Sequence, residues 1–223
     1  MITLVTADDQ DIVQAGLAVI LGHASGIDLV GQARDGHEAV DLAKQLHPDV
    51  VMMDIRMPGM NGIDATKIIV SDPDLDTRVL VVTTFDIDDY VYGALEAGAA
   101  GFLLKGADED TLVAAVRSVA AGEGTLDQRI TRRVLSEFSR RRRPQSPSPR
   151  ASNKYTTLTP REFEILELLA KGMSNREIGA ELFIELTTVK YHLAQILTKL
   201  EVRDRLQAVV QAFETGILTP RQG

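Results

Sequence analysis

The 223-residue chain contains no cysteine and no tryptophan, and only 4% of its residues are aromatic. Without cysteine there is no disulfide and no thiolate chemistry, a composition that fits an expected cytoplasmic location. No stretch approaches the roughly 20 apolar residues a membrane-spanning helix needs. Nor do the first residues show a basic leader ahead of an apolar core, so neither a membrane partner nor a secretory signal is expected. Basic residues are scarce at the front: residues 1–125 carry 7 Lys and Arg against 21 Asp and Glu, a net charge of −14. Residues 126–153 reverse this with 8 against 2, and residues 154–223 balance at 9 against 9. An acidic front and a basic connector imply different partners for the two ends. With 44% hydrophobic and 25% charged residues the chain is globular in composition, and it is long enough for two domains of ordinary size.

What is present in the first half is a repeat of short apolar runs rich in Val, Ile and Leu: ITLVTA (2–7), IDLVGQA (27–33), PDVVMMD (48–54), RVLVVT (78–83) and AGFLLK (100–105). These have the pattern of strands buried on both faces. Between them, Ile12 to Leu21, Glu38 to Leu46, Ile63 to Val70, Tyr90 to Ala97 and Thr111 to Ala120 carry helical spacing. Five repeats of strand then helix predict an α/β, doubly wound, five-stranded parallel sheet with helices on both faces.

Ligands of such sheets bind beyond the carboxyl ends of the strands. The polar residues there are Asp8 and Asp9 after the first strand, Asp54 ending the third, Thr83 ending the fourth and Lys105 ending the fifth. Three carboxylates brought together repel one another, and a hard divalent cation such as Mg²⁺ (magnesium) resolves that repulsion through oxygen ligands. An ammonium and a hydroxyl opposite them supply donors for a transferred phosphoryl group.

The Asp8-Asp9 pair, the string DIRMPGMNG from Asp54, Thr83 and the AGFLLK lysine occur in the order and places that resemble the receiver domain of two-component response regulators, over residues 1–122. The resemblance implies that Asp54 accepts a phosphoryl group from a sensor histidine kinase. It implies that Asp8, Asp9, Asp54 and the Arg56 backbone carbonyl ligate Mg²⁺, that Lys105 pairs with the phosphoryl oxygens and that Thr83 moves to hydrogen-bond them. Phe102 stands where that family places its switch aromatic, and it also reads simply as core. Pro58 and Gly59 shape the turn after Asp54. A carboxylate after a hydrophobic strand is similar, too, to haloacid-dehalogenase-type phosphatases, but these need a second Asp two residues on as general acid. Arg56 stands there and cannot exchange a proton at neutral pH, so the chain is expected to be a phosphoryl acceptor, with self-dephosphorylation, and not a dedicated enzyme.

Residues 123–154 read as a connector, with a further helix expected over 123–139 on the face of Ile130, Val134, Leu135 and Phe138. Five arginines and three prolines between Arg140 and Arg150 cannot build a core; they suit a solvated linker or contact with nucleic-acid phosphates.

Residues 155–223 form a second domain. Thr159-Pro160-Arg161-Glu162 and Ser174-Asn175-Arg176-Glu177 are capping boxes that open two short helices, with Gly172 placed to end the first. A third helix is expected from Thr187 to Leu200, apolar at Val189, Leu193, Ile196, Leu197 and Leu200. LTPRE, LAKGMSNREIGAEL and TVKYH resemble the LuxR-type helix-turn-helix of NarL/FixJ response regulators. That resemblance implies that the third helix lies in the major groove of double-stranded DNA, presenting Thr188, Lys190, Tyr191 and Ala194, and that the helix after Asp204 makes a homodimer contact. Arg176, Lys199 and Arg203 are expected on phosphates. Two departures stand out. Glu185-Leu186 replaces the family's common Ser-Glu, leaving Thr187 as an alternative cap, and Glu201 replaces a frequent glycine. Two alternatives share the same DNA domain: an autoinducer-binding regulator, and a signalling protein acting by protein contacts.

Overall fold

The computed structural model describes residues 1–83, 88–123, 125–126 and 158–218. The chain divides into two compact units, Met1–Thr125 and Leu126–Gly223. In the first, β1 (Ile2–Ala7), β2 (Ile27–Ala33), β3 (Val50–Met53), β4 (Arg78–Thr83) and β5 (Gly101–Leu104) alternate with α1 (Asp11–His23), α2 (Gly36–Leu46), α3 (Gly62–Ser71), α4 (Asp88–Glu96) and α5 (Glu109–Ala120). The five strands are parallel, in the order β2-β1-β3-β4-β5. A two-residue strand, β6 (Thr125–Leu126), extends the sheet beside β5. It begins where a helix over 123–139 is expected; residues 127–139 lie outside the described residues.

The strands are apolar throughout because both faces are covered. Leu4, Val50, Met52, Leu80, Val82 and Leu103 share one buried cluster with Leu21 of α1 and with Leu112, Val116 and Val119 of α5. Side chains alternate across a strand, so Val5, Val51, Met53, Val81 and Phe102, also buried, face the other way. Each helix starts soon after its strand ends. Asp35, Asn61 and Asp108 accept from the N–H of Glu38, Asp64 and Thr111 and so fix the starts of α2, α3 and α5. Because β2 and β3 flank β1 on opposite sides, the strand order reverses between β1 and β3, and a crevice opens at their carboxyl ends.

The second unit is helical where described: α6 (Pro160–Ala170), α7 (Asn175–Leu182), α8 (Leu186–Leu200) and α9 (Arg205–Thr215). Both capping boxes form, Thr159 with Glu162 and Ser174 with Glu177. Lys171 caps the end of α6, and Gly172, next in line, takes the left-handed backbone at φ 79°. Ile165, Leu166, Ile178, Val189, Leu193, Ile196, Leu200, Leu206 and Phe213 make the core, while Leu197 is half-buried at its edge. Helix α8 starts one residue before the expected Thr187, with Glu185 in the cap position and no side-chain bond to the helix N–H groups. Thr187 lies inside the helix and does not cap it. Glu201 ends α8 at φ 57°, the left-handed region that favours glycine.

Candidate functional site

Asp8, Asp9, Asp54 and Lys105 meet at the β1–β3 crevice. Carboxylate oxygens of the three aspartates lie within 4.8 Å of one another, and they are the one such acidic group among the described residues. Asp8 and Asp54 are buried, while Asp9 is exposed at the mouth. Lys105 spans the pair: its Nζ donates to Asp8 Oδ2 at 2.6 Å and to Asp54 Oδ2 at 2.9 Å. The other Asp54 oxygen accepts from the Ile55 N–H at 2.8 Å, and Asp8 Oδ1 accepts from the Gln10 N–H at 3.0 Å.

The pocket is negative and largely shielded from water, so protons are held tightly by acid and amine alike. Burial pushes the Asp54 carboxyl above its ordinary value; the Lys105 hydrogen bond and charge pull the other way without prevailing, and the Asp8 charge adds to the rise. Burial alone would lower the Lys105 amine, but hydrogen bonds to Asp54 and Asp8 outweigh it and hold the ammonium firmly charged. Three carboxylates facing one ammonium retain an excess of negative charge. Hard oxygen donors within mutual reach, under-neutralised by the lysine, are a donor set suited to a hard divalent cation.

Thr83 ends β4 and is buried, and its carbonyl accepts from the Lys105 N–H at 2.6 Å. Phe102 is 0% exposed on β5, in register with Val81. Arg56 lies two residues past Asp54 with its side chain exposed. The loop they share is tight: a Cβ on Gly62 would sit 2.0 Å from the Asp54 carbonyl oxygen, and one on Gly36 2.5 Å from the Met60 carbonyl oxygen. Only glycine lets α3 begin against the back of Asp54.

One residue of this pocket is absent from the strand-end reading. Gln14 of α1 is buried and uses all four of its hydrogen-bonding positions: Nε2 donates to the Asp8 and Ala33 carbonyls, and Oε1 accepts from Thr6 Oγ1 and Gln32 Nε2. It ties the chain just after β1 to the end of β2. A glutamine in the apolar stripe with Leu17 and Leu21 was the available signal.

In the second unit, Arg176, Lys190, Tyr191, Ala194 and Arg203 are exposed and Thr188 is half-buried. Lys199, expected on a phosphate, has a partner within the unit. Its Nζ donates to both carboxylate oxygens of Glu162, at 2.8 and 2.7 Å, because Glu162 is buried at 3% exposure and needs a counter-charge. Arg205, another late cation, donates to the Met173 carbonyl.

The family model for the response regulator receiver domain matches residues 4–117, over the acidic pocket, and the model for bacterial regulatory proteins of the luxR family matches residues 156–212. The chain belongs to the response regulators. It aligns along nearly its whole length with two Bacillus subtilis relatives. The transcriptional regulatory protein LiaR is 43% identical over 98% of this chain and 100% of its own. The transcriptional regulatory protein LnrK is 41% identical over 97% of this chain and 99% of its own. The crystal structure of the response regulator ChrA of a heme-sensing two-component system is similar at TM-score 0.53 and 35% identity, covering 97% of this chain and 98% of that one. This response regulator is therefore a DNA-binding transcription regulator and not a dedicated enzyme. The receiver in its front half displaces the autoinducer-binding alternative. Among the described residues no helix is long and apolar enough to cross a membrane.

Proposed function

We propose that Asp54 accepts a phosphoryl group from a sensor histidine kinase in the cytoplasm, and that the modified chain dimerises and controls transcription through α8. The observation behind it is the Asp54 carboxylate itself, 6% exposed at the end of a buried strand, beside two further aspartates and bonded to Lys105. In transfer, an Asp54 oxygen attacks the phosphorus of the donor phosphohistidine. The new P–O bond forms as the P–N bond breaks, and the leaving imidazole takes a proton from water. Lys105, already charged in the pocket, donates to a phosphoryl oxygen. Thr83 contributes its hydroxyl from the next strand end, and Phe102, packed in the same layer as Val81, repacks with it as the switch. Asp8, Asp9, Asp54 and the Arg56 carbonyl are the groups that hold Mg²⁺, which when bound supplies the charge neutralisation that lets an anionic phosphoryl enter an acidic pocket. Hydrolysis of the acyl phosphate by water returns the carboxylate and resets the chain.

At the other end, Thr188, Lys190, Tyr191 and Ala194 face base edges of double-stranded DNA, and Arg176 and Arg203 face phosphates. A homodimer places two α8 helices on adjacent half-sites and gains avidity from their linkage. Residues 1–122 serve as receiver, 123–154 as connector and 155–223 as reader of DNA. With acetyl phosphate and Mg²⁺ the wild-type chain is expected to shift to a dimer in sedimentation and to bind selected DNA more tightly, whereas Asp54→Ala does neither. An Asp54→Ala chain that responds like wild type would refute this function.

A further inference from the structure

We infer that Leu186 reads a thymine methyl group, making the first residue of α8 a determinant of the DNA sequence selected, a role that rests on α8 being the recognition helix. Leu186 is 43% exposed, although α8 buries its leucines and isoleucine at 193, 196 and 200. It stands one turn before Lys190 and two before Ala194, so the three share a ridge along the helix. An isolated exposed leucine needs no explanation. This one occupies the end of the helix whose first residues meet base edges in a helix-turn-helix, and exposed aromatics flank it: Phe183 at 95% in the preceding turn and Tyr191 at 62% further along α8.

The chemistry then narrows the target. In the major groove each base pair presents donors and acceptors, and its one apolar feature is the thymine methyl. Leu186 has no donor and no acceptor. Pressed against guanine, cytosine or adenine edges it would strip their water and return nothing; against thymine it buries methyl on methyl. Four residues of helix separate Leu186 from Lys190 by about 6 Å, so the thymine lies within about two base pairs of the pair that Lys190 faces.

Removing a methyl is an atom-level test. Duplexes are selected from random sequence with the full chain in the presence of acetyl phosphate and Mg²⁺, then resynthesised with each thymine replaced singly by deoxyuridine. At one thymine per half-site the wild type is expected to bind the deoxyuridine duplex about fourfold more weakly, the value of one buried methyl. Leu186→Ala binds the thymine duplex about fourfold more weakly and does not distinguish thymine from deoxyuridine there; Leu186→Met, which keeps an apolar reach, still does. Leu186→Ala that discriminates like wild type at every thymine overturns the role of Leu186 and leaves DNA recognition by α8 standing. A chain that selects no DNA, with or without phosphodonor, overturns both.

Discussion

Replacing Lys199 by Met separates a structural cation from a DNA-contacting one. Met keeps the aliphatic length of the side chain and removes only the ammonium that Glu162 binds through both oxygens. The Glu162 side chain is 4% exposed and that of Lys199 26%. Breaking a fully buried pair by removing one partner costs about 3–5 kcal/mol. Partial access of water through the lysine side places the expected loss near the lower end, about 3 kcal/mol. For a unit this small that is a fall in melting temperature of more than about 10 °C, read as the transition of the helical unit in calorimetry or chemical denaturation. Below that transition the salt dependence of DNA binding should be unchanged if this ammonium stays bound to both Glu162 oxygens. Arg203→Met is the opposite case: stability within about 0.5 kcal/mol of wild type, and a logarithmic salt slope reduced by about one. If Lys199→Met loses the unit of slope and keeps its stability, Lys199 is a phosphate contact and the Glu162 pair is incidental.

The same pair sets a pH dependence. Burial works to raise the Glu162 carboxyl, but the Lys199 ammonium and the Thr159 N–H outweigh it and hold it below its ordinary value of 4.5. Its contribution is therefore complete above pH 4.5 and is lost as the pH falls below that, a loss that denaturation of the wild type should show and that Glu162→Gln, expected to be less stable at neutral pH, should lack. Gln14→Leu leaves the Asp8 and Ala33 carbonyls and the Thr6 hydroxyl without their buried partner, so the receiver should lose about 1–3 kcal/mol and bind Mg²⁺ more weakly in a calorimetric titration; unchanged Mg²⁺ affinity would show that Gln14 does not position Asp8. Gly62→Ala forces a methyl against the Asp54 carbonyl and should abolish labelling by acetyl phosphate together with several kcal/mol of stability, whereas a fully labelled, wild-type-stable variant would contradict the tight loop. Glu185→Ser supplies the missing cap of α8, worth about 1 kcal/mol, and removes an anion from the phosphate side, so both denaturation midpoint and DNA affinity should rise.

Much of this was legible because it is local. Strands buried on both faces announce themselves as continuous apolar runs, and β1, β2 and β4 begin and end where those runs do. Asp8, Asp9, Asp54 and Lys105 converge because a parallel sheet puts every strand's carboxyl end on one edge. The capping boxes of α6 and α7 lie within four residues each and needed no tertiary knowledge. What escaped was non-local or short. Glu162 was readable as a capping residue, but nothing in the spacing says that a lysine 37 residues later closes on the same carboxylate. Gln14 bonds across two strands, and β6 has too few residues to show any period.

The strand order also has a consequence in time. Strand β1 is synthesised first yet pairs on both sides, with β2 and with β3, so one of its edges stays open until Met53 has been made. The ammonium that bridges Asp8 and Asp54 arrives later still, at Lys105. A nascent or locally unravelled receiver thus holds carboxylates without their lysine, a cluster that repels itself apart. Only the finished sheet brings the lysine to the carboxylates, so an assembled acidic pocket marks a completely folded receiver.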